Sequence, residues 1–285
     1  MPRVLRSVWA LALLGGVATA QAPVVPTVPT DHYGPPVCST GSHPADPKTV
    51  QRAHEEQRMG ASDPHALPSS EPMENFGIVR EKLAAYGDCT GTNGCYWAEL
   101  DAQYKRAEEK LAGLVAAKKV GEKLALVMDI DETTLSSYCE MKREDFGYIR
   151  EISNAWVVSP DAAVAIPGAL RLFNEARAAN VAVFFITGRP GVPDYASKEP
   201  AVPNQTDATA RNLQAAGFHD WTGLMLRNGS ENGMPTIEYK SEDRRRIVFK
   251  GYRIAMSVGD QWSDLLGDPK AEVGIKLPNP FYFLP

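Results

Sequence analysis

The chain has 285 residues, 44% of them hydrophobic, and a net charge of −5. That length and apolar content suffice for one ordinary core with appendages, or two small domains. The acidic balance argues against nucleic-acid binding as the main task, while leaving room for a local phosphate site.

Met1 to Ala20 reads as a secretory leader: Arg3 and Arg6 form a basic start, Val8 to Val17 a short apolar stretch, and Ala18-Thr19-Ala20 a cleavage site. The apolar stretch is too short to span a bilayer comfortably, so export to a periplasm or the exterior is expected, without stable membrane insertion. Loss of Arg3 and Arg6 with the leader leaves a mature charge of −7. Residues 21–70 hold ten prolines between Pro23 and Pro72 if the next two positions are included. With little apolar periodicity, this stretch is expected to be flexible and partly polyproline. His32, His43, His54 and His65 recur every eleven residues, but no companion ligands repeat with them, so chance placement in a polar linker is favoured over a metal-binding tract.

Residues 71–122 read as a helical N-terminal subdomain. Glu71 to Tyr86 carries Phe76, Val79 and Leu83 on one face, with Gly87 as a stop. Trp97 to Lys119 repeats Leu100, Tyr104, Ala107, Leu111 and Leu114 at helical spacing. Such a unit is either scaffolding or a roof over an active site. Four cysteines allow three connectivities; Cys89 and Cys95 flank a turn-rich loop and are expected to pair, and whether Cys38 reaches Cys139 stays open from sequence.

Leu124 to Met128 is an apolar run of buried-strand length, ending in Asp129-Ile130-Asp131-Glu132-Thr133. Residues i and i+2 of an extended chain point the same way, so Asp129 and Asp131 face one small volume at a strand end. Ser136 to Ile166 follows, with Tyr138, Phe146, Tyr148 and Trp156. Pro167 to Ala179 reads as a helix. Val181 to Ile186 is a second apolar strand, ending in Thr187-Gly188-Arg189, and a proline-rich loop, Pro190 to Pro203, follows it. Thr206 or Asp207 can cap a helix that ends before Gly217. Leu224 to Leu226 is a short strand. Tyr239-Lys240-Ser241 opens a basic helical segment, with Ser241 as a possible cap. Arg253 to Val258 is a third long strand, ending in Gly259-Asp260-Gln261-Trp262-Ser263-Asp264, and Val273 to Leu277 is a last strand. Strands alternating with helices imply an α/β fold with a parallel sheet covered on both faces.

Acid pair, hydroxyl, lysine, acid pair, in that order and mostly at strand ends, resembles the four motifs of the haloacid dehalogenase (HAD) superfamily. The wording Asp-Ile-Asp-Glu-Thr, Ile-Thr-Gly-Arg, Tyr-Lys-Ser and Gly-Asp-Gln-Trp-Ser-Asp is similar to class III (B-type) acid phosphatases. These are grouped with plant acid phosphatases and vegetative storage proteins, near the bacterial class C enzymes. The resemblance runs from about Leu124 onward. It implies a HAD-like Rossmannoid core over 123–285, with a small cap at 136–166 and a wide mouth accepting varied phosphomonoesters. The cap aromatics either stack on a base or aryl leaving group or form the cap's own core.

The same resemblance implies an exported, metal-dependent acid phosphatase. Asp129 is the nucleophile that takes up phosphorus. Asp131 is the acid/base, and an acidic pH optimum follows if it starts protonated. Thr187 and the N–H of Gly188 hold the phosphoryl group, and Lys240 balances its charge. Thr133 stabilises the turn, while Arg189 either touches phosphate or braces its loop. One Mg²⁺ is held by Asp129, the carbonyl of Asp131 and Asp260, while Asp264 either joins them or orients a metal-bound water, with other divalent ions acceptable. Transfer to an alcohol acceptor, a non-catalytic storage role and homo-oligomerisation all stay open from sequence.

Overall fold

The computed structural model describes residues 47–65, 73–191, 204–231 and 233–284. The expected leader at 1–20, Cys38 and nearly all of the Pro190–Pro203 loop lie outside these residues. Eight helices and five strands are present among the described residues. The helices are α1 Pro47–Ser62, α2 Phe76–Asp88, α3 Tyr96–Ala116, α4 Tyr138–Arg143, α5 Arg150–Val157, α6 Pro167–Ala178, α7 Thr206–Ala215 and α8 Thr236–Phe249. The strands are β1 Lys123–Met128, β2 Ala182–Pro190, β3 Gly223–Arg227, β4 Tyr252–Gly259 and β5 Val273–Lys276.

All strand pairings are parallel, in the order β3-β2-β1-β4-β5. β1 is central, with Ala125 beside Ala182 of β2 and Ile254 of β4. Alternation along β1 feeds two cores. Leu124, Leu126 and Met128 pack with α3, α6 and α7, while Ala125 and Val127 pack with Phe184, Ile254 and Ile247 of α8. Because both faces are buried, the strand reads in sequence as a continuous apolar run. Chain connections leave β1 toward β2 on one side and meet β4 on the other, which opens a crevice at the C-terminal ends of these three strands.

Four expectations are corrected. Residues 47–62 are helical, although the segment carried no apolar stripe; polar pairs such as Gln51 to Glu55, 2.9 Å across one turn, support α1 instead. Phe76 is exposed at the start of α2 beneath the Arg80 guanidinium, and Asn75 caps the helix by accepting from Gly77 N at 2.9 Å. α7 begins at Thr206, with Gln205 at the cap position and no side-chain cap bond. α8 begins at Thr236 behind Pro235, so Ser241 lies inside the helix and its hydroxyl donates to Ile237 O at 2.6 Å.

Helices α2 and α3 are continuous with the main core. The α3 side chains from Tyr96 to Leu111 share one cluster with β1 and α6. Cys89 and Cys95 form a disulfide between α2 and α3. Cys139 is also disulfide-bonded, and Cys38 falls outside the described residues. No helix among the described residues is long and apolar enough to cross a membrane.

Candidate active site

Asp129 sits one residue past β1, and its N–H donates to Val258 O at 3.0 Å, extending the ladder. The chain then turns tightly. The N–H groups of Thr134 and Leu135 both donate to Ile130 O at 2.8 Å, and the Thr134 hydroxyl donates to Asp129 O at 2.6 Å. Glu132 takes a φ of +52° within this turn. The turn aims the Asp129 carboxylate over the strand end and leaves Asp131 half-exposed on the cavity side.

Asp260 and Asp264 come from the end of β4 and the single helical turn after it. A Cβ on Gly259 would lie 2.2 Å from the Asp264 side chain, so only glycine lets that carboxylate fold back against the strand end. Gln261 N fixes it further, donating to Asp264 Oδ2 at 2.9 Å. Thr133 serves more than the turn. Its hydroxyl donates to Asp260 Oδ1 at 3.3 Å and receives Asp260 N at 3.1 Å, tying the two acid-bearing loops together.

Lys240, on the second turn of α8, completes the group. Its ammonium donates to Asp129 Oδ1 at 2.7 Å and to Asp264 Oδ1, and all three side chains are buried. One carboxylate oxygen from each of Asp129, Asp260 and Asp264 lies within 4.8 Å of the others. Burial pushes the Asp129 carboxyl well above the usual carboxylate range; Lys240 opposes this, and the neighbouring acids add to it. Burial and Asp264 raise Asp260 as well, against the donors Asn279 and Gln261. Burial would lower Lys240, but Asp129 and Asp264 outweigh it and keep the ammonium charged.

Arg189, at the end of β2, holds Asp131. Its Nη2 lies 2.7 Å from Oδ1, and its Nε lies 3.2 and 3.1 Å from the two oxygens. Asp131 therefore faces a different cation from Asp129, although the two are only two residues apart. Thr187 is fully buried at the same strand end, where its hydroxyl accepts Arg189 N at 3.2 Å, while Gly188 faces the cavity. A Cβ on Gly188 would meet the Tyr239 hydroxyl at 2.8 Å. The structure thus gathers Asp129, Asp260, Asp264 and Lys240 in direct contact or within a few ångströms, with the Asp131–Arg189 pair alongside.

Among the described residues these four aspartates form ion pairs only with Lys240 and Arg189, two cations to four acids. Three of the aspartates converge as hard oxygen donors. This donor set and this charge fit one divalent cation.

The acids open into a cavity of about 590 Å³. The segment between β1 and α6 supplies one wall through Phe146, Tyr148 and Trp156. Tyr138 belongs to the core instead. It is fully buried, stacks among Tyr96, Trp97 and Phe281, and donates to Asp88 at 2.7 Å. Residues Phe281 to Leu284 form a further wall that sequence reasoning missed. A second residue was missed as well: Tyr104 of α3 donates its buried hydroxyl to Thr133 O at 2.5 Å. Helix α3 supports the site from behind and does not roof it. The spacing of Tyr104 within a buried stripe marked it only as core.

A family model described as "HAD superfamily, subfamily IIIB (Acid phosphatase)" matches residues 49–285. Acid phosphatase 1 of Solanum lycopersicum is 35% identical over 160 residues, covering 55% of this chain and 58% of that protein. The Stem 31 kDa glycoprotein of Glycine max is 33% identical over 162 residues, 55% of this chain and 59% of that protein. Vegetative storage protein 1 of Arabidopsis thaliana is 31% identical over 163 residues, 56% of this chain and 55% of that protein. The chain thus spans less than two thirds of the curated relatives it matches. Among solved structures, the class C acid phosphatase from Bacillus anthracis with tungstate bound is similar in fold, with a TM-score of 0.55 and 24% identity. That match covers 72% of this chain and 85% of the other. Since the family match takes in the sheet, the acid cluster and every wall of the cavity, the chain belongs to subfamily IIIB of the haloacid dehalogenase superfamily, the acid phosphatase family.

Proposed function

We propose that this chain is an exported acid phosphatase that hydrolyses phosphomonoesters through an aspartyl-phosphate on Asp129, with Mg²⁺ as its metal. The observation that carries the reading is the contact of Lys240 with Asp129 and Asp264 beside Asp260, at the floor of an aromatic-walled cavity. Asp129, Asp260 and Asp264, with the carbonyl of Asp131, are the ligands we assign to the metal. When bound, that cation offsets the negative charge of phosphate and acid cluster, which otherwise repel.

In the first step the Asp129 carboxylate attacks phosphorus and the bond to the leaving oxygen breaks. Asp131 gives its proton to that oxygen, which requires it to leave Arg189. The freed guanidinium then turns to the phosphoryl oxygens, joining Lys240, Thr187 and the N–H of Gly188. In the second step Asp131 takes a proton from water, the water oxygen attacks phosphorus, and Asp129 is released with inorganic phosphate. Phe146, Tyr148, Trp156 and Phe283 favour leaving groups with an aromatic face, so aryl phosphates and nucleotides are the preferred class.

The test is phosphate release from a panel of phosphomonoesters at acid pH, with and without chelator. Turnover that is metal-dependent and strongest for aromatic leaving groups is expected; no release under any metal or pH overturns the assignment. That negative result would favour the storage role suggested by the name of the Arabidopsis thaliana relative. Adding an alcohol acceptor and analysing products separates hydrolysis from phosphoryl transfer.

A further inference from the structure

Residues 277–284 have no regular structure, so individual bonds must hold them. Leu277 N donates to Gly259 O at 2.9 Å, which starts the segment beside the acid cluster. Asn279 comes next. Its Nδ2 donates to Asp260 Oδ2 at 2.6 Å, and its Oδ1 accepts from Phe281 N at 2.9 Å. A carboxylate accepts only and a backbone N–H donates only, so this orientation of the carboxamide is the one that satisfies both partners. Gln261 Nε2 reaches the same Asp260 oxygen at 2.7 Å and Tyr282 O at 3.5 Å. Beyond this point Phe281 stacks on Phe146, with centroids 5.6 Å apart, and the Tyr282 hydroxyl donates to Glu132 Oε2 at 3.2 Å.

Among the described residues, Asp260 therefore has one oxygen fixed by two short amide bonds, while the other has the single 3.3 Å contact with Thr133. Holding one oxygen fixes the rotation of the carboxylate, and groups that do this for metal ligands commonly change metal affinity when lost. The same carboxamide sets the start of the Phe281–Leu284 wall. We propose that Asn279 is a positioning residue with a double role: it orients Asp260 for the cation, and it places the wall that contacts the leaving group. Cation affinity and leaving-group selectivity are coupled through this one side chain. The proposal rests on the metal site described under the proposed function.

The experiment compares the wild type, Asn279→Leu and Phe283→Ala. Mg²⁺ is titrated calorimetrically into chelator-stripped protein, and KM and kcat are measured for an aryl phosphate and for glycerol phosphate. Asn279→Leu keeps the branching at Cγ but neither bond; it is expected to weaken Mg²⁺ by about 10–100-fold. It should also raise KM for the aryl phosphate several-fold more than for glycerol phosphate. Phe283→Ala is expected to shift the KM ratio and leave Mg²⁺ affinity unchanged. Should Asn279→Leu fail to fold, Asn279→Ala removes the same bonds without added bulk. Wild-type Mg²⁺ affinity in the Asn279 variant overturns the proposal, as does weakened affinity with an unchanged KM ratio. A wild-type protein that binds no divalent cation overturns the metal site itself, and the proposal with it.

Discussion

Lys240 Nζ lies 2.7 Å from Asp129 Oδ1 and donates at the same time to Asp264, so one buried ammonium separates two acids brought together from β1 and β4. Lys240→Met leaves those carboxylates facing each other without compensation. We expect kcat to fall by about 10²–10³-fold. Thermal stability in chelator should also fall, with partial recovery on adding Mg²⁺. Steady-state kinetics and calorimetry on one preparation check both outcomes.

Asp129→Asn should separate chemistry from stability. The amide cannot take up phosphorus, so phosphate release is expected to disappear. It also removes one charge from a crowded, buried set whose burial already disfavours ionisation at this position. The melting temperature in chelator should therefore match or exceed wild type. A large fall in melting temperature would mean that Asp129 is mainly a structural partner of Lys240.

Asp131→Asn should reveal itself through the leaving group. An alkyl phosphate needs a proton on its departing oxygen, and its turnover is expected to fall by about 10²–10⁴-fold. An aryl phosphate with an acidic phenol leaves as the anion and should lose much less in the first step. Equal losses on both substrates would remove Asp131 from the acid role.

Tyr104→Phe tests the support from α3. The change removes a buried hydroxyl and leaves Thr133 O without that donor, at a cost of about 1–3 kcal/mol. Since Thr133 also holds Asp260, Mg²⁺ affinity should weaken along with stability. Urea denaturation and Mg²⁺ titration measure the two effects.

Asp243 supplies a pH dependence away from the acid cluster. It is buried on α8 against Glu231, and both acids meet Arg246, with Asp243 Oδ2 and Glu231 Oε1 otherwise lacking hydrogen-bond partners. Burial, and then Glu231, push its carboxyl up to about 7. An unfolded aspartate titrates near 3.9. Between these values the unfolded chain has released the proton that the folded chain keeps, so stability falls as pH rises from about 4 to 7 and then levels off. Asp243→Asn removes this loss. Its stability relative to wild type should improve steadily over that window and stay constant above it. Urea midpoints at pH 5 and pH 8 decide; an equal difference at both pH values refutes the account.

The sheet and the acid-bearing strand ends were legible because each long strand is an apolar run that stops at a polar motif. Asp129, Lys240, Asp260 and Asp264 met as their order along the chain implied. Other features carried no local signal. Asn279 and Phe281 sit in a Pro-Asn-Pro-Phe stretch that reads as a turn, and their partners Asp260 and Phe146 are remote. Arg189 gave no hint that it would hold Asp131, since that choice depends on β2 lying beside β1. Ser241 looked like a cap because it precedes a charged run, yet Pro235 marked the true helix start. α1 was missed because pairs one turn apart, and no buried stripe, support it.

The central position of β1 also bears on how the chain reaches its native state. Ala125 is flanked by Ala182 and Ile254, so neither neighbour of this strand comes from nearby in sequence. Closing such large loops is entropically costly before any pairing rewards it, which slows acquisition of structure. Until β4 arrives, one edge of β1 offers unpaired amides and bulky apolar groups to other unfinished copies. Yield on refolding from urea should accordingly drop with rising protein concentration, and holdase chaperones should restore it.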